Sequence, residues 1–296
     1  MKKLIISLLL ISYCGGSDTP AVSVAEDKTT AVSDTTTTTV TDTSTPTVQD
    51  YEYSEVAIYN PPYAGTIFIT GNLITDKDPS TYNYQDYIGT DKRTMFDRRN
   101  GGMWLDIDAH IFDTFYFDDH YIEVQVNAEF SENEAKEQAQ KYGWLIGQLP
   151  KVLKKDINTV WIHKGLYPWG GGNNNLLFHV GQTQEYENIK TIIGGRGSIV
   201  EETLIHEAAH TSIDNYFYGT EKWEQAVKDD DNNYFSTYGQ EYPQREDIAE
   251  IFPLYIAVKF FPERINQKII DEFLSTSLSR VRLFDSENFD FSIYKP

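Results

Sequence analysis

The sequence of 296 residues predicts an α+β fold, with strands concentrated in its first half and helices added toward its carboxyl end. Between residues 51 and 128 the chain is rich in tyrosine, isoleucine and phenylalanine, and glycine, proline and asparagine separate the apolar runs. That pattern is typical of strands joined by turns. From residue 131 onward, three helical patterns alternate with short apolar stretches: 131–149, 198–219 and a third that includes Glu246 and Glu250. The two patterns within one chain assign the α+β class.

Five stretches have the composition of strands, because they are rich in aromatic and β-branched residues and are bounded by turn-forming residues. They cover 65–71, 101–108, 120–130, 158–163 and 174–182. The run "GGGNNN" precedes the core of the last one. It predicts either a flexible approach to a binding cleft or an ordinary loop.

The first helix is predicted over 131–149 by its ends and by its apolar spacing. Ser131 and Glu134 have the spacing of a capping box, and Pro150 stops the helix. Small or apolar residues recur three to four positions apart, at Ala135, Ala139, Tyr142 and Ile146. One face of this helix is therefore expected to pack on the core.

Residues 1–14, "MKKLIISLLLISYC", combine two lysines, a short apolar run and the only cysteine of the chain, Cys14. The apolar run is shorter than the roughly 20 residues that cross a bilayer, so it predicts a signal peptide. Its end resembles a bacterial lipoprotein signal, which implies lipid attachment at Cys14 and a location in the bacterial cell envelope. Cleavage to a soluble extracellular form is the alternative. With Cys14 used in this way, the folded part has no thiol for a disulfide or a metal.

Residues 15–50 are mostly threonine, serine, aspartate and valine, with almost no aromatic residues. Such a segment buries too little apolar area to offset its chain entropy, so we expect a disordered tether. The fold is predicted to begin near residue 51, with a β-rich N-terminal region over 51–128. Three roles remain open for that region: a propeptide, an exosite module or a layer of the fold.

The charge of the chain excludes some partners. Acidic residues outnumber basic ones by 45 to 25, which gives a formal net charge of −20. A surface of that sign repels nucleic acid and anionic lipid. We therefore expect no nucleic-acid partner, and membrane contact only through an N-terminal lipid anchor.

The segment 198–219, "SIVEETLIHEAAHTSIDNYFYG", contains the pattern H-E-x-x-H. On a helix, His206 and His210 project from one face one turn apart, and Glu207 lies beside them. This spacing suits two nitrogen ligands of one zinc ion with a neighbouring general base. The alternative is an ordinary amphipathic helix with two partly exposed histidines. Ser198 is its predicted N-cap.

A third metal ligand must come from elsewhere in the chain. Asp214 lies one further turn along the helix, about 5.4 Å away along its axis, and is better placed to cap the helix or to hydrogen-bond a ligand histidine. Downstream, Glu246 and Glu250 share a face of a further predicted helix, so one can bind the metal while the other orients a histidine. His163 and His179 belong to strand patterns and are predicted to be structural.

The motif resembles the gluzincin metallopeptidases, most closely the anthrax lethal factor family. The residues that carry the resemblance are the H-E-x-x-H motif, the run Ser236-Thr237-Tyr238-Gly239 and the run Glu246-Asp247-Ile248-Ala249-Glu250. The resemblance implies that Glu246 is the third zinc ligand and Glu250 its outer neighbour. It also implies that Tyr238 assists at the substrate carbonyl, and that one Zn²⁺ is bound per chain.

The same resemblance implies a zincin-like fold with a mixed sheet, in which 129–296 is the catalytic domain. In such folds the strand before the active-site helix lies at the sheet edge above the cleft, where an extended peptide can pair with it. We expect residues 176–180 to be that strand.

These residues together predict a secreted or surface-anchored zinc metalloendopeptidase that acts on peptide or protein substrates. Glu207 is the expected general base, and Tyr238 is the expected donor to the oxyanion. The alternative is a surface-anchored binding or adhesion lipoprotein on a zincin scaffold, with 51–128 as the binding region.

Overall fold

The computed structural model describes residues 49–53, 61–66, 69, 71, 73–75, 77–190 and 196–294. The predicted signal peptide with Cys14, and nearly all of the predicted tether at 15–50, lie outside the described residues. Within the described part, no helix combines the length and the apolar character needed to cross a membrane.

A six-stranded mixed sheet organises the fold, with the strand order β1-β2-β3-β4-β6-β5. Its strands are β1 (Tyr82–Asp97), β2 (Met103–Tyr116), β3 (Tyr121–Asn127), β4 (Thr159–His163), β5 (Gly170–Gly172) and β6 (Asn175–His179). β3, β4 and β6 are parallel, whereas β1, β2 and β5 run antiparallel to their neighbours. A separate ribbon pairs β7 (Ile189–Lys190) with β8 (Arg196–Gly197). Strands from the β-rich N-terminal region and strands that follow the first helix therefore belong to one sheet.

The described residues also form nine α-helices. These are α1 (Glu132–Gly147), α2 (Lys151–Lys154), α3 (Val180–Tyr186), α4 (Val200–Ser212), α5 (Asp214–Phe217), α6 (Glu221–Asp229), α7 (Thr237–Glu241), α8 (Asp247–Phe260) and α9 (Gln267–Ser286). The α+β class predicted from the sequence is confirmed.

Helix α4 lies between the sheet and the carboxyl-terminal helices. α1 and α4 pack on the sheet, and α8 packs against α4. Tyr142 of α1 stacks on Phe178 of β6, with ring centroids 4.3 Å apart. Leu204 and Ala208 of α4 are buried in the same core, so packing on both sides fixes the position of this helix.

Several elements lie where the sequence predicts them. Helix α1 begins with the predicted capping box: the amide of Ser131 donates to Glu134 Oε2 at 2.8 Å, and the amide of Glu134 donates to Ser131 Oγ. The predicted strands at 101–108, 120–130 and 158–163 correspond to β2, β3 and β4. β2 is longer than predicted, because its polar residues pair with those of β1 in a long hairpin.

Other elements differ from the prediction. The sequence does not predict strand β1, since its alternation is interrupted by polar residues and by a bulge near Gly89. In the predicted strand 65–71, the described residues lie outside any strand. The last predicted strand ends at His179, and the chain continues into α3.

The edge strand of the sheet beside α4 is also not the one that the sequence predicts. β5, formed by the glycine run, is the edge strand, and the predicted edge strand at 176–180 is instead second from the edge. Glycine makes this possible, because a Cβ added to Gly171 would lie 1.8 Å from the carbonyl oxygen of Glu207. Only a strand without side chains approaches α4 so closely.

The predicted helix over 198–219 is divided in two at Ile213, where φ is −105°. Ser198 is not the N-cap, which is Ile199. The Ser198 hydroxyl instead accepts from the amide of Val200 at 3.2 Å. Gly219 follows the second segment with φ +67°, in the left-handed region that suits a helix end.

Candidate metal centre

Helix α4 presents His206 and His210 on one face. Their ring centroids are 4.8 Å apart and the rings are nearly perpendicular. Their side chains are 17% and 12% exposed, so the imidazoles are held by the protein yet remain accessible from solvent. This is the arrangement that the four-residue spacing predicts.

The buried carboxylate of Glu246 contacts the imidazoles of both His206 and His210. Glu246 Oε2 lies 3.2 Å from His210 Nε2 and 3.5 Å from His206 Nε2. Glu246 is the N-cap residue of α8 and lies just before its first turn, whereas the sequence predicted it within that helix. The potential ligand atoms of the three residues all lie within 4.8 Å of one another, so the group could hold a metal ion.

Two further carboxylates face the other nitrogens of the imidazoles. His210 Nδ1 lies 3.0 Å from Asp214 Oδ2, and this hydrogen bond to a histidine is one of the two uses that the sequence predicts for Asp214. His206 Nδ1 lies 3.6 Å from Glu250 Oε1. Both Nε2 atoms are thereby turned toward Glu246. Carboxylates in this outer position orient metal-bound histidines and make them stronger ligands.

Hydrogen bonds from two other segments hold Glu250 in place. The Ser236 hydroxyl donates to Glu250 Oε2 at 2.7 Å and also accepts from the amide of Gly239, capping α7. The Thr66 hydroxyl donates to Glu250 Oε1. The segment before the sheet therefore reaches the surroundings of His206.

The charges of the group favour a bound cation. Burial works to lower the pKa of both histidines, but nearby carboxylates outweigh it and both pKa values are raised. These carboxylates are Glu246, Glu207 and Glu250 for His206, and Asp214 and Glu246 for His210. Burial alone would raise the pKa of Glu246, yet its hydrogen bonds with the two imidazoles hold it well below its usual range. Surroundings that stabilise positive charge on the imidazoles also stabilise a metal cation between them.

Glu207 is buried on α4 directly after His206. Burial raises the pKa of Tyr186, and the Glu207 carboxylate raises it further. The same carboxylate also raises the pKa of His206. β5 packs against its backbone, and the amide of Gly172 donates to Thr211 Oγ1 at 2.8 Å. Glu207 is thus beside the histidines on a fixed helix, without being part of the group of three potential ligands.

Tyr238 lies in α7, two residues after the capping Ser236. Its ring packs against Tyr242 at 5.3 Å, and its hydroxyl oxygen accepts from Arg245 Nη2 at 3.5 Å. Burial and the neighbouring Glu246 raise the pKa of Tyr238, so its phenol keeps its proton at neutral pH. Arg245 was not singled out by sequence reasoning, although its position directly before Glu246 was the available signal.

His163 and His179 lie outside this group. Both are fully buried at the ends of β4 and β6. Among the residues that the structure describes, His206, His210 and Glu246 form the one group of three or more potential ligands close enough to hold an ion.

The chain was also compared with known proteins. No family model, no curated protein and no solved structure matches it.

Proposed function

We propose that this protein is a zinc-dependent metalloendopeptidase with a zincin-like fold. One observation carries the proposal: His206 Nε2 and His210 Nε2 converge on Glu246 Oε2, while a carboxylate faces the Nδ1 atom of each imidazole. Two histidines and one carboxylate on this scaffold match the donor set of catalytic zinc sites, which keep a fourth position open. Nitrogen and oxygen donors without thiolate are compatible with zinc.

Zinc bound by these three residues would supply a Lewis acid that acidifies a water molecule and polarises a substrate carbonyl. The remaining steps belong to residues of the chain. Glu207 accepts a proton from the attacking water as the carbon–oxygen bond forms. It returns that proton to the amide nitrogen as the carbon–nitrogen bond breaks, which releases the amine. Tyr238, with its phenol protonated, donates a hydrogen bond to the carbonyl oxygen as negative charge develops there.

Sheet geometry supports a peptide substrate. β5 is an antiparallel edge strand packed on α4 beside Glu207. An extended peptide can add to an edge strand as a further strand, and glycines without side chains let such a peptide approach.

The test is metal analysis of the domain from residue 51 combined with a peptidase assay on a mixed protein substrate. We expect one zinc per chain and hydrolysis that a chelator abolishes and added zinc restores. Protein that contains no zinc and cleaves nothing after zinc addition would contradict the proposal.

A second candidate is a binding or adhesion protein, and one observation favours it. The hairpin of β1 and β2 exposes large apolar side chains, including Tyr84 at 46%, Ile88 at 59% and Trp104 at 57%. Exposed aromatic side chains are common at interaction surfaces. A binding protein does not require Glu207 as a base, so peptidase activity that depends on Glu207 separates the two functions.

We further propose that Cys14 anchors the protein to the bacterial cell envelope. In a bacterial host, the full-length protein is then membrane-associated, and Cys14→Ser carries no lipid. Mass spectrometry that finds an unmodified N-terminus downstream of Cys14 would support the soluble extracellular form instead.

A further inference from the structure

Arg245 contacts the candidate metal centre without belonging to it. It directly precedes Glu246, and its side chain is 36% exposed. Its Nε donates to Glu246 Oε1 at 2.8 Å, and its guanidinium lies over the ring of Tyr242 at 5.2 Å. Because its partner carboxylate is 1% exposed, this charge-assisted hydrogen bond is less screened by water than an ordinary surface ion pair.

The two oxygens of Glu246 therefore have different partners. Oε2 faces His206 Nε2 and His210 Nε2, at 3.5 and 3.2 Å. Oε1 accepts from Arg245 instead. A carboxylate can give a cation one oxygen or two, and here the second oxygen is already engaged.

That asymmetry has a chemical consequence if the site holds zinc. Catalytic zinc sites use three protein ligands and leave the next position for water or substrate. A second oxygen from Glu246 would compete for that position. The positive charge of Arg245 also makes the Glu246 carboxylate a weaker zinc ligand. A weaker ligand lowers zinc affinity but leaves the zinc ion a stronger Lewis acid toward the substrate carbonyl.

We propose that Arg245 is a positioning residue that keeps Glu246 a one-oxygen ligand, a role that rests on the proposed zinc function. Arg245 thereby exchanges some zinc affinity for catalytic rate. Loss of Arg245 should therefore raise zinc affinity and lower the catalytic rate. Loss of a purely structural residue would instead lower zinc affinity and catalytic rate together.

The experiment compares Arg245→Met, which keeps length but removes charge and donors, with Arg245→Lys, which keeps a charged donor. The matched control is Arg93→Met on β1, since Arg93 Nε donates to Glu123 Oε1 at 2.9 Å in a similar pair outside the centre. Three quantities are measured for each: the zinc dissociation constant, the visible spectrum of the cobalt-substituted protein, and kcat with KM.

For Arg245→Met we expect a lower zinc dissociation constant and a kcat reduced about 10–100-fold. KM should stay within about threefold of the wild type. The cobalt protein should lose visible absorption as its coordination number rises. Arg245→Lys should recover part of the lost kcat, and Arg93→Met should match the wild type.

Two results would overturn the inference. Zinc binding in Arg245→Met that is equal to or weaker than that of the wild type would mean that Arg245 only supports the ligand. A reduced kcat with an unchanged cobalt spectrum would assign Arg245 to direct contact with substrate. Wild-type protein that binds no zinc contradicts the proposed function itself, whereas zinc-loaded wild type and a fully active Arg245→Met contradict only this inference.

Discussion

Two pairs of neighbouring histidines lie in the described structure, and their environments shift the histidine pKa values in opposite directions. The rings of His206 and His210 are 4.8 Å apart, and those of His163 and His179 are 5.4 Å apart. The pKa values are raised in the first pair and lowered in the second. Ring separation alone therefore does not determine whether a histidine pair can hold a cation.

The difference lies in what the ring nitrogens contact. In the first pair every ring nitrogen lies within 3.6 Å of a carboxylate oxygen. In the second pair, His163 Nε2 donates to the carbonyl of Phe96, and its Nδ1 accepts from the side-chain amide of Asn127. His179 Nδ1 donates to the carbonyl of Lys164. The bond from Asn127 requires an unprotonated Nδ1 on His163, and burial, which disfavours the charged form, is the main cause that lowers the pKa of both rings.

The largest expected effect tests whether the two pairs have distinct roles. His206→Gln should lose zinc, with affinity reduced by about a thousandfold or more, because one of three ligands is absent. His163→Gln should bind zinc like the wild type, since it changes only the second pair. Isothermal titration with zinc measures both. Equal zinc binding by the two variants would remove the distinction between the pairs.

The second-largest expected effect distinguishes the roles of Glu246 and Glu250, the two glutamates on α8 and at its N-cap that contact the first histidine pair. Glu246→Ala should lose zinc, whereas Glu250→Ala should retain it with affinity or activity reduced about 10–100-fold, because Glu250 contacts the outer nitrogen of His206. Circular dichroism must first establish that both variants fold, since Glu246→Ala removes a carboxylate partner of both imidazoles and Glu250→Ala removes one of His206. If Glu250→Ala loses zinc while Glu246→Ala keeps zinc and turnover, the ligand assignment is reversed.

The smaller effect concerns the second pair and pH. Burial lowers the pKa of His163 to about 4, despite the opposing effect of nearby Asp97 and Glu129, while Arg99 and His179 lower it further. Between that value and the unfolded pKa of about 6.5, the unfolded chain binds more protons, so stability falls as pH falls through this window. In full, protonation of His163 costs the folded state about 3 kcal/mol, a loss that is complete below about pH 4 and absent above about pH 6.5.

His163→Gln removes this titration while keeping a neutral donor and acceptor. Urea unfolding at pH 7 and pH 4.5 should therefore give a smaller loss of stability on acidification for the variant than for the wild type. Identical losses in the two proteins would mean that His163 is not held neutral by the fold.

Local patterns predicted the parts of this molecule that local rules control. The capping box of Ser131, the two histidines on α4 and the choice of Glu246 and Glu250 as partners all depend on spacing along the chain. Sequence did not predict that the glycine run forms the edge strand, because β5 depends on the backbone of α4 coming within contact of Gly171.

Contacts between distant segments were equally inaccessible from sequence. The Thr66 hydroxyl donates to Glu250 across 184 residues of sequence, and no pattern around either residue indicates it. The polar strand β1 was missed because only its pairing with β2 makes it a strand. In both cases the fold as a whole, rather than the local sequence, determines the contact.

The central claim is that His206, His210 and Glu246 bind zinc so that Glu207 can act as a base, and Glu207→Gln tests it most directly. Zinc content and peptidase activity are measured on the same preparation of wild type and variant. We expect one zinc per chain in both proteins, and a kcat in the variant reduced by about 100-fold or more, because the proton acceptor is gone. A variant that keeps both its zinc and most of its peptidase activity would contradict the account.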